Sequence, residues 1–150
     1  MPRLDSKLEA EGAEFLVLGN LLVEAITAHK TYTNMPGYDL VAVDPEYSTI
    51  ARIQVKSRWA TDYDGGFLIR NMDCEFVVFV AHNRGYRYRK KGRLEDDGRR
   101  SPEYYVFPVR VLKDAPRTKK WGKLFLRHIP DVEAYKDRWD LIRDYLENPN

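Results

Sequence analysis

The chain has 150 residues, 43% of them apolar and 32% charged, with a net charge of +2 and one cysteine. That length fits a single domain spanning 1–150, with a core large enough to fold without staples. Cys74 alone excludes an internal disulfide, a structural zinc site is not expected from it and three scattered histidines (His29, His82, His128), and no run is long or apolar enough to serve as a membrane span or leader, so a cytoplasmic setting with no membrane partner is the expectation.

Residues from about Asp5 to His29 predict one long helix. Leu8, Phe15, Leu18, Leu22 and Ala25, with Leu21 and Val17 beside them, recur at helical spacing, and Asp5 or Ser6 can cap the start. Asn34-Met35-Pro36-Gly37 breaks the chain. Two strand-like runs follow, Tyr38 to Val43 and Thr49 to Arg58, joined by a turn-rich connection of hairpin length. A third strand is expected at Gly66 to Arg70, and a fourth at Cys74 to Ala81, the most apolar run and so the expected sheet centre. The segment from Asn83 to Ser101 holds eight cations against three acids, a net of +5, and reads as a loop or extended hairpin. Tyr104 to Val109 predicts a fifth strand, with Pro108 marking its end or an edge. Asp131 to Leu146 predicts an amphipathic helix through Val132, Tyr135, Trp139, Ile142 and Leu146. Helix, antiparallel strands, helix is the pattern of an α+β or mixed α/β fold on a single central sheet of about five strands.

Chemistry concentrates in the first half. Glu14 has Ala10, Val17, Leu18 and Leu21 at helical-neighbour spacings, which turns it toward apolar surroundings. A buried carboxylate needs a partner, a hydrogen bond or a metal; at the rim of the stripe it would instead meet an arginine or solvent. In the hairpin, a turn centred between Glu46 and Tyr47 makes paired residue numbers sum to about 93, so Asp39 faces Gln54 on one side of the sheet. Lys56, two residues beyond Gln54, falls on that same face. A one-residue slip would destroy the alignment. The plain alternative is a half-exposed strand, with Arg52, Gln54, Lys56 and Arg58 alternating with Ile53 and Val55.

The string Glu14, then Gly37-Tyr38-Asp39-Leu40, then Ile53-Gln54-Val55-Lys56-Ser57-Arg58 resembles the PD-(D/E)xK nuclease superfamily, particularly its Holliday-junction-resolvase-like members. The resemblance covers roughly residues 5 to 82, and Gln54 stands where the family has its second acid. It implies a restriction-endonuclease-like mixed sheet and a metal-dependent endonuclease hydrolysing phosphodiester bonds in DNA, in repair, recombination or defence. It also implies the roles. Asp39, the Gln54 side-chain oxygen and the Val55 carbonyl would hold Mg²⁺ (or Mn²⁺ in its place), Glu14 would support the site through a metal-bound water or second metal, and Lys56 would orient the attacking water. Glutamine removes one negative charge and weakens the metal site, so a catalytically degenerate nucleic-acid-binding module is the alternative. A structural protein with ordinary strand residues at these positions is the third reading.

For a DNA partner, with RNA left open, Ser57 and Arg58 lie directly after Lys56. Arg84, Arg87, Arg89, Lys90 and Lys91 form a basic segment interleaved with Tyr86 and Tyr88, suited to phosphates and bases. Its plain alternative is a solvated charge run. Trp59, Trp121 and Trp139 read as core or interface anchors, His82 and Cys74 as structural, and Asp73 and Glu75 as turn and strand-edge residues. Cutting two strands needs two sites, which makes a homodimer plausible.

Overall fold

The computed structural model describes residues 5–31, 37–61, 65–86 and 96–149. Helix α1 (Ser6–Val23) starts where the Asp5 carboxylate accepts the Lys7 N–H at 2.7 Å. It ends earlier than the predicted His29. Ala25 adopts φ 61°, and the Ile26 and Ala25 N–H groups donate to the Leu21 and Leu22 carbonyls, closing the helix in a Schellman-type turn. Alanine in the left-handed position gives none of the glycine signal that usually marks such an end. The chain after it then forms strand β1 (Ala28–Lys30) at one edge of the sheet.

The inward face of α1 also differs from the predicted stripe. Ala13, Val17 and Leu21 are fully buried, whereas Leu8 (65% exposed), Phe15 and Leu22 face outward. Apolar residues occupy both sides of this helix, so periodicity alone could not say which one the sheet would cover.

Strands β2 (Leu40–Asp44) and β3 (Thr49–Arg58) form the expected hairpin, and every pair from Leu40↔Ile53 to Asp44↔Thr49 sums to 93. The order of the five-stranded sheet is β1-β2-β3-β5-β6, with β5 spanning Phe76–Ala81 and β6 Glu103–Pro108. The sheet is mixed, as the resemblance implied, and departs at one pair from the antiparallel pattern of the strand reading: β5 runs parallel to β3, in register from Ile53↔Phe76 to Arg58↔Ala81. The connection from β3 to β5 is long enough to carry the chain back to the same end of the sheet, as a parallel pair requires. The middle strand is therefore β3, and the apolar β5 run is an inner strand beside it. Its residues are apolar on both faces because both faces are covered. Phe76, Val78 and Val80 pack on the α1 side, while Val77 and Phe79 pack on the other.

The short β4 (Gly66–Phe67) does not join this sheet. It pairs with β7 (Leu124–Phe125) in a second, two-stranded sheet over the face opposite α1. Helix α2 (Val109–Asp114), not anticipated from the sequence, follows β6 directly. The predicted closing helix is divided. A 3-10 turn at Val132–Tyr135 is followed by helix α3 (Asp140–Glu147), because Asp137 turns to φ 55° and donates its N–H to the Tyr104 carbonyl. Trp139, Ile142 and Leu146 then close the core on the α1 side. The result is a mixed α/β fold, a five-stranded sheet with the N-terminal and C-terminal helices packed on one face.

Candidate active site

The hydrogen-bond ladder between β2 and β3 ends as Asp39 donates its N–H to the Ile53 carbonyl at 2.9 Å, while the β3–β5 ladder continues to Arg58. The far half of β3 thus has an edge that β2 does not cover. Asp39 caps that edge: its Oδ2 accepts the Val55 N–H at 2.8 Å. Thr31, just after β1, donates both its N–H and its hydroxyl to the Asp39 carbonyl at 3.0 and 2.9 Å, which fixes Asp39 from the other side.

The open edge borders a cleft of about 510 Å³ lined by Glu14, Asp39, Gln54, Val55 and Lys56, with Arg70 and Asn71 on its wall. All four side chains expected to form the site therefore meet in one cavity. The β2–β3 register ends one pair short of Asp39, at Leu40↔Ile53; Asp39, Gln54 and Lys56 all line the cleft. Glu14 enters from α1.

Gln54 is buried and its orientation is fixed. Its Nε2 donates to the Gly37 carbonyl at 2.8 Å and to the Asn71 carbonyl at 2.9 Å. Both N–H bonds are engaged, so the side-chain oxygen is the atom directed away from those carbonyls.

Burial dominates the electrostatics of the site. Burial, then the nearby Asp39 carboxylate, raises the Glu14 pKa above the usual carboxylate value. Burial also raises that of Asp39, although the Val55 N–H and the Lys56 and Lys30 charges oppose it. Burial lowers the Lys56 pKa, with Arg58 adding to the effect and Asp39 opposing it. A cation between the two carboxylates would relieve their repulsion.

Lys30, Gly37 and Asn71 were missed in the sequence. The Lys30 side chain is only 8% exposed; its Nζ pairs with Glu11, lies 3.8 Å from Glu14 and sits 4.4 Å from the Phe15 ring centroid. It carried no signal because it comes from an edge strand read as the end of a helix. Gly37 stands in the break after Pro36 and in the string that carries the resemblance, but nothing in its spacing points to its carbonyl as a partner for Gln54.

Ser57 Oγ lies 3.4 Å from a Glu9 carboxylate oxygen, and Arg58 donates to the Gly66 carbonyl at 2.7 Å. Arg84 donates to the His82 carbonyl at 2.9 Å and to the Arg100 carbonyl, and it forms an antiparallel bridge with Arg99. Arg87, Arg89, Lys90 and Lys91 lie outside the described residues. His82 Nε2 is 3.1 Å from the Glu9 carbonyl, Cys74 is buried with its thiol pushed up to about 11 by burial, and Asp73 and Glu75 pair with Arg52. Trp139 is in the core, but Trp121 is 72% exposed.

Among the described residues no group of three or more His, Cys, Asp or Glu is placed to hold a metal ion. The residues at the cleft supply the donor types a hard cation takes: the Glu14 and Asp39 carboxylates and the Gln54 amide oxygen.

No protein-family model matches the chain, and no curated protein matches it. Among solved structures it is similar to a bacterial homing endonuclease, I-Ssp6803I, at 22% identity and a TM-score of 0.61. The alignment covers 96% of this chain and 95% of that one. The two proteins share a fold along essentially their whole lengths.

Proposed function

We propose that this protein is a metal-dependent endonuclease that hydrolyses phosphodiester bonds in DNA, serving repair, recombination or defence. The observation that carries this reading is the convergence of Glu14, Asp39, Gln54 and Lys56 on one cleft, in a chain with the fold of a homing endonuclease. Asp39, the Gln54 oxygen and the Val55 carbonyl would hold Mg²⁺ or Mn²⁺, with Glu14 contributing directly or through water. The bound ion would supply Lewis acidity at the phosphoryl oxygen and lower the pKa of its water. Lys56, whose ammonium is destabilised by burial, orients the attacking water and offsets charge developing on the phosphoryl group. Lys30 holds Glu14 in position. Cutting both strands of a duplex calls for two such clefts, so the reading includes a homodimer.

The test is a cleavage panel on linear, branched and single-stranded DNA with Mg²⁺ or Mn²⁺. Lys56→Ala is expected to lower the rate by about 10²- to 10⁴-fold while leaving Mn²⁺ binding in place. Asp39→Ala is expected to lose both. If Asp39→Ala changes neither ion binding nor cutting, the cleft is not an active site. A second reading, a nucleic-acid-binding protein that no longer cuts, is favoured by the missing charge at Gln54; DNA binding without cleavage by the unaltered chain would select it.

A further inference from the structure

The segment from Arg117 to His128 carries five lysines and arginines and no acid. None of these residues lines the cleft. The turn that begins it is built firmly. Gly122 donates its N–H to the Thr118 carbonyl at 2.9 Å, Thr118 donates its own to the Lys123 carbonyl at 3.0 Å, and the Lys123 N–H reaches the Thr118 hydroxyl at 2.9 Å. Gly122 takes φ 63°, a left-handed conformation that favours glycine. Strand β7 leaves this turn to pair with β4. On the other side, Arg117 donates to the Ile69 carbonyl at 3.0 Å. The turn is thus braced against the chain between Gly66 and Asn71, which also supplies Leu68, Arg70 and Asn71 to the cleft wall.

At its tip stands Trp121, with the Lys120 Nζ 5.9 Å from its ring centroid. Holding a large indole in water forgoes the burial that Trp139 obtains in the core. An exposed aromatic ring on a firmly hydrogen-bonded turn, in a stretch of sequence with cations and no acids, matches a polymer that offers flat π surfaces and regularly spaced negative charge. An apolar protein partner would account for the indole but not for the one-signed charge.

We propose that the Arg117–Lys123 turn is a second nucleic-acid contact, outside the cleft, in which Lys119 and Lys120 meet phosphates and Trp121 stacks on an unpaired base. The nuclease reading supplies only the expectation that the polymer is DNA; the turn argues binding by itself.

The experiment measures affinity of the full chain for a labelled single strand and for the matching duplex, in EDTA, across a salt series. Trp121→Ala is expected to weaken single-strand binding about ten-fold, with little change in the salt slope. Lys119→Gln with Lys120→Gln is expected to weaken both ligands and reduce the slope of log K against log salt by about 1.5 to 2. All three side chains belong to an exposed turn, and circular dichroism with a melting curve verifies that each variant is folded. Unchanged affinity and slope in both variants overturn the proposal. Cleavage assayed in parallel separates the two readings. A chain that cuts DNA but ignores the turn substitutions removes the turn alone, whereas one that loses binding through them yet never cuts removes the nuclease reading alone.

Discussion

The side-chain nitrogen of Gln54 donates to the main-chain carbonyl of Asn71 at 2.9 Å, and its second hydrogen goes to the Gly37 carbonyl at 2.8 Å. Two carbonyl oxygens at these distances accept hydrogen bonds and offer none. They suit an amide, and they would repel the carboxylate found at this position in the nuclease superfamily the sequence resembles. Gln54 therefore belongs to a matched set with Gly37 and Asn71.

Restoring the acid should accordingly do harm. Gln54→Glu removes the donor from two carbonyls and sets a charge against them, at a cost of about 2 kcal/mol. We expect a melting temperature lower by roughly 4–8 °C at neutral pH, and no gain in cleavage or ion binding. Gln54→Glu with unchanged melting and tighter Mn²⁺ binding by calorimetry would falsify the clamp.

Gly37 is the other half of that clamp. It takes φ 90°, and a Cβ there would lie 2.8 Å from the Asn71 side-chain oxygen. Gly37→Ala combines backbone strain with a clash and is expected to cost about 1–3 kcal/mol. Because the strain falls on the segment that orients Gln54, cleavage should drop further than Gly12→Ala lowers it; a Cβ at Gly12 meets nothing within 4 Å. Equal activity in the two variants would show that Gly37 does not position the amide.

The raised pKa values of Glu14 and Asp39 have a definite sign. A carboxyl whose folded pKa lies above its unfolded one takes up a proton preferentially in the folded state. Stability from that group is present at low pH and is lost as pH rises through the folded value. In the metal-free protein near neutrality both charges thus work against the fold. Glu14→Gln is expected to raise the melting temperature by roughly 1–3 °C in EDTA while weakening Mn²⁺ binding. Ion affinity of the unaltered chain should fall with acid at a higher pH than ordinary carboxylates would set. A lower melting temperature for Glu14→Gln in EDTA contradicts the assignment.

Helix α1 leaves Leu8, Phe15, Leu22 and Val23 facing solvent, the last 86% exposed. If two clefts act together in a homodimer, this row is the apolar surface such pairing would cover. Sedimentation equilibrium of Leu22→Glu with Val23→Glu should then show the monomer where the unaltered chain shows the dimer. A monomeric unaltered chain would remove the homodimer from the reading.

Much of this site was legible because it depends on local rules. The hairpin register follows from one turn, and the sum of 93 holds for each pair from Leu40 to Asp44, just short of Asp39. Alternation along β3 then carried Lys56 to the same face as Gln54. Glu14 stood out as a charge among Ala10, Val17 and Leu21. What failed involved a choice between equivalent local options. α1 has two apolar sides, and only the sheet decides that Ala13, Val17 and Leu21 go inward. Ala25 ends the helix without a glycine, which hid β1 and with it Lys30.

The sequence by itself determined the hairpin, its register, the strand period and the residues that could do chemistry, since each follows from spacing along a few neighbouring positions. Only the tertiary structure decided that β5 lies parallel to β3, that Asn71 returns from a distant loop to hold Gln54, and that Trp121 stays in water. Those outcomes depend on contacts between residues far apart in the chain, where many partners satisfy the same local pattern and packing of the whole domain selects one.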